Sequence, residues 1–459
     1  MAHLAEEGAF STDEPLPPAL GVVRWDKAGR VLLLRPQTGR WVTATPVGAE
    51  IVELCDGRRS VRDIANLLAT RYDLDVTRAE TDVRSFLAEL SRAGFLGLPL
   101  AMPSPSLDGL ALHVTGRCAL QCRHCYGSPG TPTATEPTVA LLQSVVEQAR
   151  ALGAQSFKLT GGDPLCRPEV LTALADSLEG TTVTVLTAGL APYDELRALL
   201  RRDNWQLQIS LDGADAATHG WFRGAGRFDC LAANLSALAE AGLTKRVRLS
   251  TCLSRANHDQ IEAIIALALN FGVHGLHLVR VSRQGRAELH WDELDLTEAQ
   301  WRETYARLAK LHSRYHPRLL LTGFLSDYLS SCLGYPSTRG CSLGRQVMVD
   351  LDGRVYPCIM MTRPEDCLGN LNEQSLAACL ASERLDRLRQ SCEARLTDDA
   401  VCGACDWRLV CRGACPGWAV SQGGSTDERD ELCALRRELL PQLILSLAGP
   451  VTSEAPCQS

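Results

Sequence analysis

The stretch GRCALQCRHCYGSPG, Gly116 to Gly130, decides how the rest of the chain is read. It sets Cys118, Cys122 and Cys125 at C-x3-C-x2-C and closes on glycine, serine and proline, which favour turns. Directly ahead of it runs LALHVT, Leu110 to Thr115, an apolar run of strand length. A loop at the end of a strand is where parallel α/β sheets build their active sites. Three thiolates complete a tetrahedral zinc site only if a distant residue supplies the fourth ligand. They can hold three irons of a 4Fe-4S cluster and leave the fourth open to a ligand.

Outward from this loop one alternation repeats. The runs SFKLT from Ser156, TVTVLT from Thr182, LQISL from Leu207, RVRLSTC from Arg246 and GLHLVRV from Gly275 are strand-like. Helical stretches such as Thr138 to Leu152 and Asp259 to Phe271 lie between them. Strands alternating with helices predict βαβ units and a parallel sheet over 110–316, curled into a barrel or left open.

Upstream, residues 1–17 are acidic and proline-bearing and predict a flexible leader. Residues 18–98 predict a separate β-then-α unit. VVRWDKAGRVLLLRPQTGRWVTAT reads as a three-stranded meander, followed by helices from Gly48 to Cys55, Ser60 to Tyr72 and Thr77 to Ala93. Ser60 is placed to cap, and Ile64, Leu67 and Leu68 are expected to share a face. A Pro/Ser-rich linker spans 99–109. Beyond Pro317 the alternation fades and cysteines crowd, so 317–440 reads as a third unit whose core comes partly from metal, with 441–459 a C-terminal tail.

The chain has 459 residues, 19 of them cysteine, and a formal charge of −7. That balance offers no basic field for nucleic acid or an anionic membrane, so neither is an expected partner. MAHLAEEGAFSTDEPLPP lacks the basic and apolar regions of a signal peptide, and LILSLA near Leu443 is far too short to span a bilayer. The expected location is cytoplasmic, where clustered cysteines are metal ligands or catalytic thiols more often than disulfides.

The cysteine loop resembles the signature of the radical S-adenosylmethionine (SAM) superfamily, in which an aromatic residue precedes the third cysteine; His124 fills that position here. The resemblance implies a partial (β/α)6 TIM-like barrel. It also implies that the open iron chelates SAM and that one electron cleaves it to a 5'-deoxyadenosyl radical. Further positions follow in the family's order. Gly161, Gly162, Asp163 and Pro164 stand where the family usually has Gly-Gly-Glu-Pro against the SAM amino group. Ser210 and Asp212 of SLDG face the ribose and carboxylate side, and Arg223 offers a fork suited to a carboxylate. Each alone has a plain structural alternative: a turn, a helix cap and a surface cation.

Downstream, Cys341 and Cys358 enclose Gly353 as C-x11-G-x4-C, and Cys402, Cys405, Cys411 and Cys415 follow as C-x2-C-x5-C-x3-C, with Cys433 after them. Zinc ribbons are the structural alternative, but the gaps resemble the SPASM extension of radical SAM enzymes, which binds two auxiliary 4Fe-4S clusters. By that resemblance Cys341, Cys358 and Cys415 hold the first auxiliary cluster, with Cys332 the candidate fourth ligand, and Cys402, Cys405, Cys411 and Cys433 hold the second. The total is three 4Fe-4S clusters plus SAM. Cys55, Cys166, Cys230, Cys252, Cys367, Cys379, Cys392 and Cys457 match no spacing, and most are expected to be small buried hydrophobes.

Residues 18–98, through TPVGAEIVELCDG and SVRDIANLLATRY, resemble the PqqD-like domain, a winged-helix recognition element that captures a precursor's leader peptide as an added strand beside its third helix. The whole is then similar to a maturase of ribosomally made peptides that forms a thioether or carbon-carbon crosslink, with flavodoxin or ferredoxin as electron donor. Two other readings stand beside it. One is tetrapyrrole or other small-molecule oxidation or decarboxylation. The other is a non-catalytic iron-sulfur regulator reading DNA through the winged helix.

Overall fold

Turn chemistry builds the front unit of this computed structural model, which describes residues 10–19, 21–96, 107–127, 136–315, 317–323, 343–429 and 431–447. Strands β1 (Val23–Lys27), β2 (Arg30–Arg35) and β3 (Arg40–Ala44) form the expected antiparallel meander. Ala28 and Gly29 both take positive φ, 50° and 76°, as a two-residue hairpin turn requires. Helices α1 (Pro46–Leu54), α2 (Val61–Tyr72) and α3 (Val76–Arg92) follow. Thr45 caps α1, so that helix starts ahead of its expected position, and Ser60 caps α2 in a capping box with Asp63. The buried stripe of α2 runs through Val61, Ile64, Ala65, Leu68 and Ala69, which leaves Leu67 on the flank, 44% exposed rather than on the shared face.

The four apolar residues Val31 to Leu34 are all buried because the small sheet is covered on both faces. Val31 and Leu33 join the core of the front unit itself, whereas Leu32 and Leu34 join the main core of the molecule. The Trp25 ring of β1 lies against Trp407 of the cysteine-rich region, tilted by 34° with centroids 5.0 Å apart. The front unit is thus packed on the cysteine-rich region.

The central sheet carries strands β4 (Gly109–Thr115), β5 (Ser156–Gly161), β6 (Thr182–Thr187), β7 (Trp205–Ser210), β8 (Val247–Leu253) and β9 (Gly275–Arg280), all parallel and in chain order. Helices α4 (Val139–Ala151), α5 (Pro168–Leu174), α6 (Tyr193–Leu200), α7 (Ala216–Arg223), α8 (Arg227–Glu240) and α9 (Ile261–Asn270) alternate with them. This is the six-unit βα array read from the sequence. Leu110, Leu112, Phe157, Leu159, Leu207 and Ile209 pack in the main core. The alternate positions, among them His113, Thr160, Ser210, Ser250 and His277, are aligned by strand register on the other face, the barrel interior.

Two boundaries differ from expectation. The sheet does not stop at residue 316: β10 (Leu320–Thr322) pairs parallel with β9. At the other edge β11 (Gln346–Val349) pairs parallel with β4, and β12 (Arg354–Tyr356) and β13 (Gly369–Asn370) extend it to ten strands. These strands are too short to register as a periodic signal, yet their backbone groups need partners. Nor does the tail begin at residue 441. The helix Cys433–Leu447 runs through that point, burying Leu439, Leu440, Leu443 and Ile444.

Candidate functional site

The end of β4 delivers the cysteine loop, and the end of β5 is pressed against it. Gly162 N donates to Thr115 O and Asp163 N to Arg117 O, both at 2.7 Å. Gly161 sits at φ +126°, and a Cβ on Gly161 or Gly162 would collide with the carbonyl of Thr115 or Arg117. Only glycine lets the two backbones meet this closely. The Asp163 carboxylate turns inward, accepting from Leu165 N, Thr187 Oγ1 and Ala188 N, so it ties β5 to β6. Pro164 opens a short 3-10 turn directly after it.

Cys118, Cys122 and Cys125 pack together with Leu120, Ala188 and Leu190. Burial pushes the Cys122 thiol up to about 11, opposed by the nearby Arg223 guanidinium. Two clamps escaped the sequence reading. Arg286, after β9, donates from its backbone N to Cys125 O at 2.9 Å and from Nε to Cys122 O at 3.1 Å. Arg123 donates from its backbone N to Phe222 O and from Nε to Trp221 O, both at 3.0 Å. Neither belongs to a motif; the only sequence cue is the tight glycine at 285, where a Cβ would strike the Tyr126 and Cys125 carbonyls.

Behind the loop lies a buried trio. Asp212, wholly buried after β7, accepts from Arg223 Nε at 2.5 Å and from Cys252 N at 2.7 Å. Arg223, far from being a surface cation, sends Nη2 to His124 Nε2 at 3.1 Å and Nη1 to Cys122 Sγ at 3.7 Å. His124 packs edge-on to Phe222 at 5.2 Å. Burial lowers His124 to about 4, so the ring is neutral. His124 Nε2 lies between a donor and an acceptor, Arg223 Nη2 at 3.1 Å and Asp212 Oδ2 at 3.3 Å, while Nδ1 is a buried atom with no partner among the described residues. Burial alone would raise the Asp212 carboxyl, but Arg223 beside it holds it below the usual range. Single donor atoms of His124, Asp212 and Cys252 lie within 4.8 Å of one another, but the Arg223 cation already meets Asp212, so this is not a cation site. Ser210 ends β7 half-buried, in register with Ser250.

In the tail, Gly353 takes φ +79° in the turn between β11 and β12, which explains the glycine inside the C-x11-G-x4-C spacing. Cys358 follows β12 and feels the charge of Cys415, and burial drives its thiol up to about 12. Their expected partners Cys332 and Cys341 lie outside the described residues, as does Cys457. Cys402, Cys405, Cys411 and Cys433 line one cavity together with Trp407 and Leu440. Four thiols lining one space, three of them from separate helical turns, are a donor set that fits a cluster. Of the described cysteines without a spacing, Cys55 and Cys379 are buried, Cys166, Cys252, Cys367 and Cys392 are half-buried and Cys230 is exposed, so most are not the buried hydrophobes expected. Cys392 adjoins Cys415, and Cys166 adjoins Cys118.

Between loop and tail opens a cavity of about 460 Å³ lined by Tyr126, Gln284 and Gly285 on the barrel side and by Thr362, Arg363 and Ser421 on the other. Tyr126 is the residue after Cys125, so the cavity reaches the cysteine loop.

Family models match in the same order as these units. The model for coenzyme PQQ synthesis protein D matches residues 30–96, the radical SAM superfamily model residues 112–268 and the SPASM iron-sulfur cluster-binding model residues 341–406. The chain is 30% identical over 333 residues to the mycofactocin maturase MftC of Mycobacterium ulcerans, covering 71% of this chain and 87% of that protein. It is 26% identical over 339 residues to the PqqA peptide cyclase of Methylobacterium nodulans, covering 72% and 87%. It is 27% identical over 350 residues to the AdoMet-dependent heme synthase of Methanosarcina barkeri, covering 71% and 96%. The fold is similar to that of Streptococcus suis SuiB bound to precursor peptide SuiA, with a TM-score of 0.57, 14% identity and coverage of 90% of this chain and 100% of that one. Among the described residues no helix is long and apolar enough to cross a membrane.

Proposed function

This chain belongs to the radical SAM superfamily, with a PqqD-like domain ahead of the barrel and a SPASM domain behind it, and from that premise we propose that it matures a ribosomally made precursor peptide. Cys118, Cys122 and Cys125 fit a cluster with one open iron: three thiols on one loop, an arginine N–H directed at one sulfur, and a glycine cradle beside them. Such a cluster supplies the reductive cleavage of SAM and hence a hydrogen-abstracting 5'-deoxyadenosyl radical. The chain's own residues hold the loop and bury Cys122 and His124 within it. Gly161 and Gly162 bring backbone groups to the rim where SAM binds, and Ser210 faces it from β7.

Two auxiliary clusters complete the count of three. Cys402, Cys405, Cys411 and Cys433 hold one, and Cys341, Cys358 and Cys415, with Cys332, hold the other. The leader adds to β3, the edge strand whose first residue, Arg40, approaches Gly94 just beyond α3. The observation that carries the peptide reading is the 460 Å³ cavity between the cysteine loop and the tail, which has room for a core residue beside Tyr126, the residue after Cys125. The product is a thioether or carbon-carbon crosslink, the electron donor a flavodoxin or ferredoxin, and the setting the cytoplasm, with no nucleic-acid or membrane partner.

The match to a heme synthase favours a second reading, oxidation or decarboxylation of a small tetrapyrrole-like molecule. That reading leaves the PqqD-like domain without a task. Anaerobic incubation with SAM, a reductant and the peptide encoded beside the gene, followed by mass analysis, separates the two. A peptide lighter by two hydrogens supports maturation; an unchanged peptide beside accumulating 5'-deoxyadenosine rejects it.

A further inference from the structure

We propose that Arg223 is a positioning residue that sets the reduction potential of the cluster held by Cys118, Cys122 and Cys125, by donating from Nη1 to the Cys122 sulfur. The inference rests on the cluster reading above and concerns a property that reading does not fix.

Arg223 ends α7, and each of its three guanidinium nitrogens has its own partner: Nε has Asp212 at 2.5 Å, Nη2 has His124 at 3.1 Å and Nη1 has Cys122 Sγ at 3.7 Å. The planar fork cannot reorient toward one partner without leaving another. Asp212 is itself fixed by Cys252 N at 2.7 Å and, through its backbone oxygen, by Asn257 Nδ2 at 2.9 Å. Asp212 and His124 side chains are 0% and 5% exposed and that of Arg223 is 12% exposed, so the contacts sit where water screens them little. The assembly is a rigid bracket aimed at one cysteine of the loop. It also joins three parts of the chain: α7, the end of β7 and the loop itself.

A hydrogen bond to a ligating thiolate withdraws negative charge from the cluster and so favours the reduced, more negative state. Asp212 offsets the net charge of Arg223, so the effect comes chiefly from the directed N–H rather than a general positive field. Removing it makes the cluster harder to reduce. A role confined to gripping SAM would instead weaken SAM binding and leave the SAM-free cluster unaltered.

The test is an EPR-monitored potentiometric titration of the reconstituted full chain. The component that changes on adding SAM identifies the cluster of the cysteine loop, and its midpoint is read without SAM. In Arg223→Met the midpoint falls, so that the ratio of reduced to oxidised cluster at a fixed potential drops about tenfold, ~59 mV for one electron. An unchanged midpoint in Arg223→Met overturns the proposal, whatever happens to SAM affinity. Should that variant not retain iron at this site, Arg223→Lys decides. Its single ammonium satisfies Asp212 without reaching Cys122, so a lowered midpoint supports the proposal and an unchanged one overturns it. The underlying reading fails separately, if the unmodified chain shows no SAM-sensitive cluster at all.

Discussion

Gly162 shows how much of the site was legible at the level of single residues. The TGGDP turn marked the position, and the structure supplies the reason, a side chain at Gly162 colliding with the Arg117 carbonyl. Gly162→Ala is expected to displace the cysteine loop, so that the purified protein loses most of its SAM cleavage while absorbance from the tail clusters persists. Normal cleavage by this variant would show that the close approach is dispensable. The roles of Asp163 and Arg223 were less legible. The sequence shows that a carboxylate or guanidinium is present, not which partner burial gives it; Asp163 bonds to Thr187 and Ala188, and Arg223 to Asp212. Arg286 and Arg123 were invisible because their contacts join segments far apart in the chain.

Among the elements, the six strands of the barrel were readable because each carries a strong alternating or apolar run between helices. Strands β10 to β13 were not, since two to four residues hold no period, and so the sheet was expected to end too soon. The tail cysteines were readable by spacing alone, and four of them do converge on one cavity. Replacing Cys402, Cys405, Cys411 and Cys433 together by alanine is expected to remove about four iron atoms per chain. SAM cleavage to 5'-deoxyadenosine should continue, because the cysteine loop is held by β5, α7 and the segment after β9 rather than by this cavity. Iron content equal to that of the unmodified chain would remove the assignment.

At the scale of the whole molecule, the front unit is joined to the cysteine-rich region through Trp25 on Trp407 and through Leu32 and Leu34, so the PqqD-like domain and the four-cysteine cavity share one packed core. The apolar run Val31 to Leu34 proves to be a doubly covered strand, which the meander reading did not anticipate. The barrel interior makes a further, pH-dependent contribution. Burial lowers His113 and His277 to about 4 from 6.5, and for His277 the cations Arg248 and Lys158 act in the same direction. His113 faces the Tyr126 phenol and His277 the Thr322 hydroxyl. Because the folded values lie below the unfolded ones, this stability is fully present above 6.5 and is lost as pH falls toward 4. Each histidine steepens the loss by at most about 1.4 kcal/mol per pH unit. Urea midpoints taken across this range should fall with acidity, less steeply in His277→Asn; an identical slope in that variant would count against the buried neutral ring.

The most direct measurement of the central claim is SAM cleavage by the chain carrying Cys118→Ala, Cys122→Ala and Cys125→Ala together, assayed anaerobically for 5'-deoxyadenosine beside its iron content. Complete loss of cleavage, with the iron of the tail retained, is the expected result. Cleavage that survives the triple substitution would contradict the account, because SAM would then be activated somewhere other than this loop.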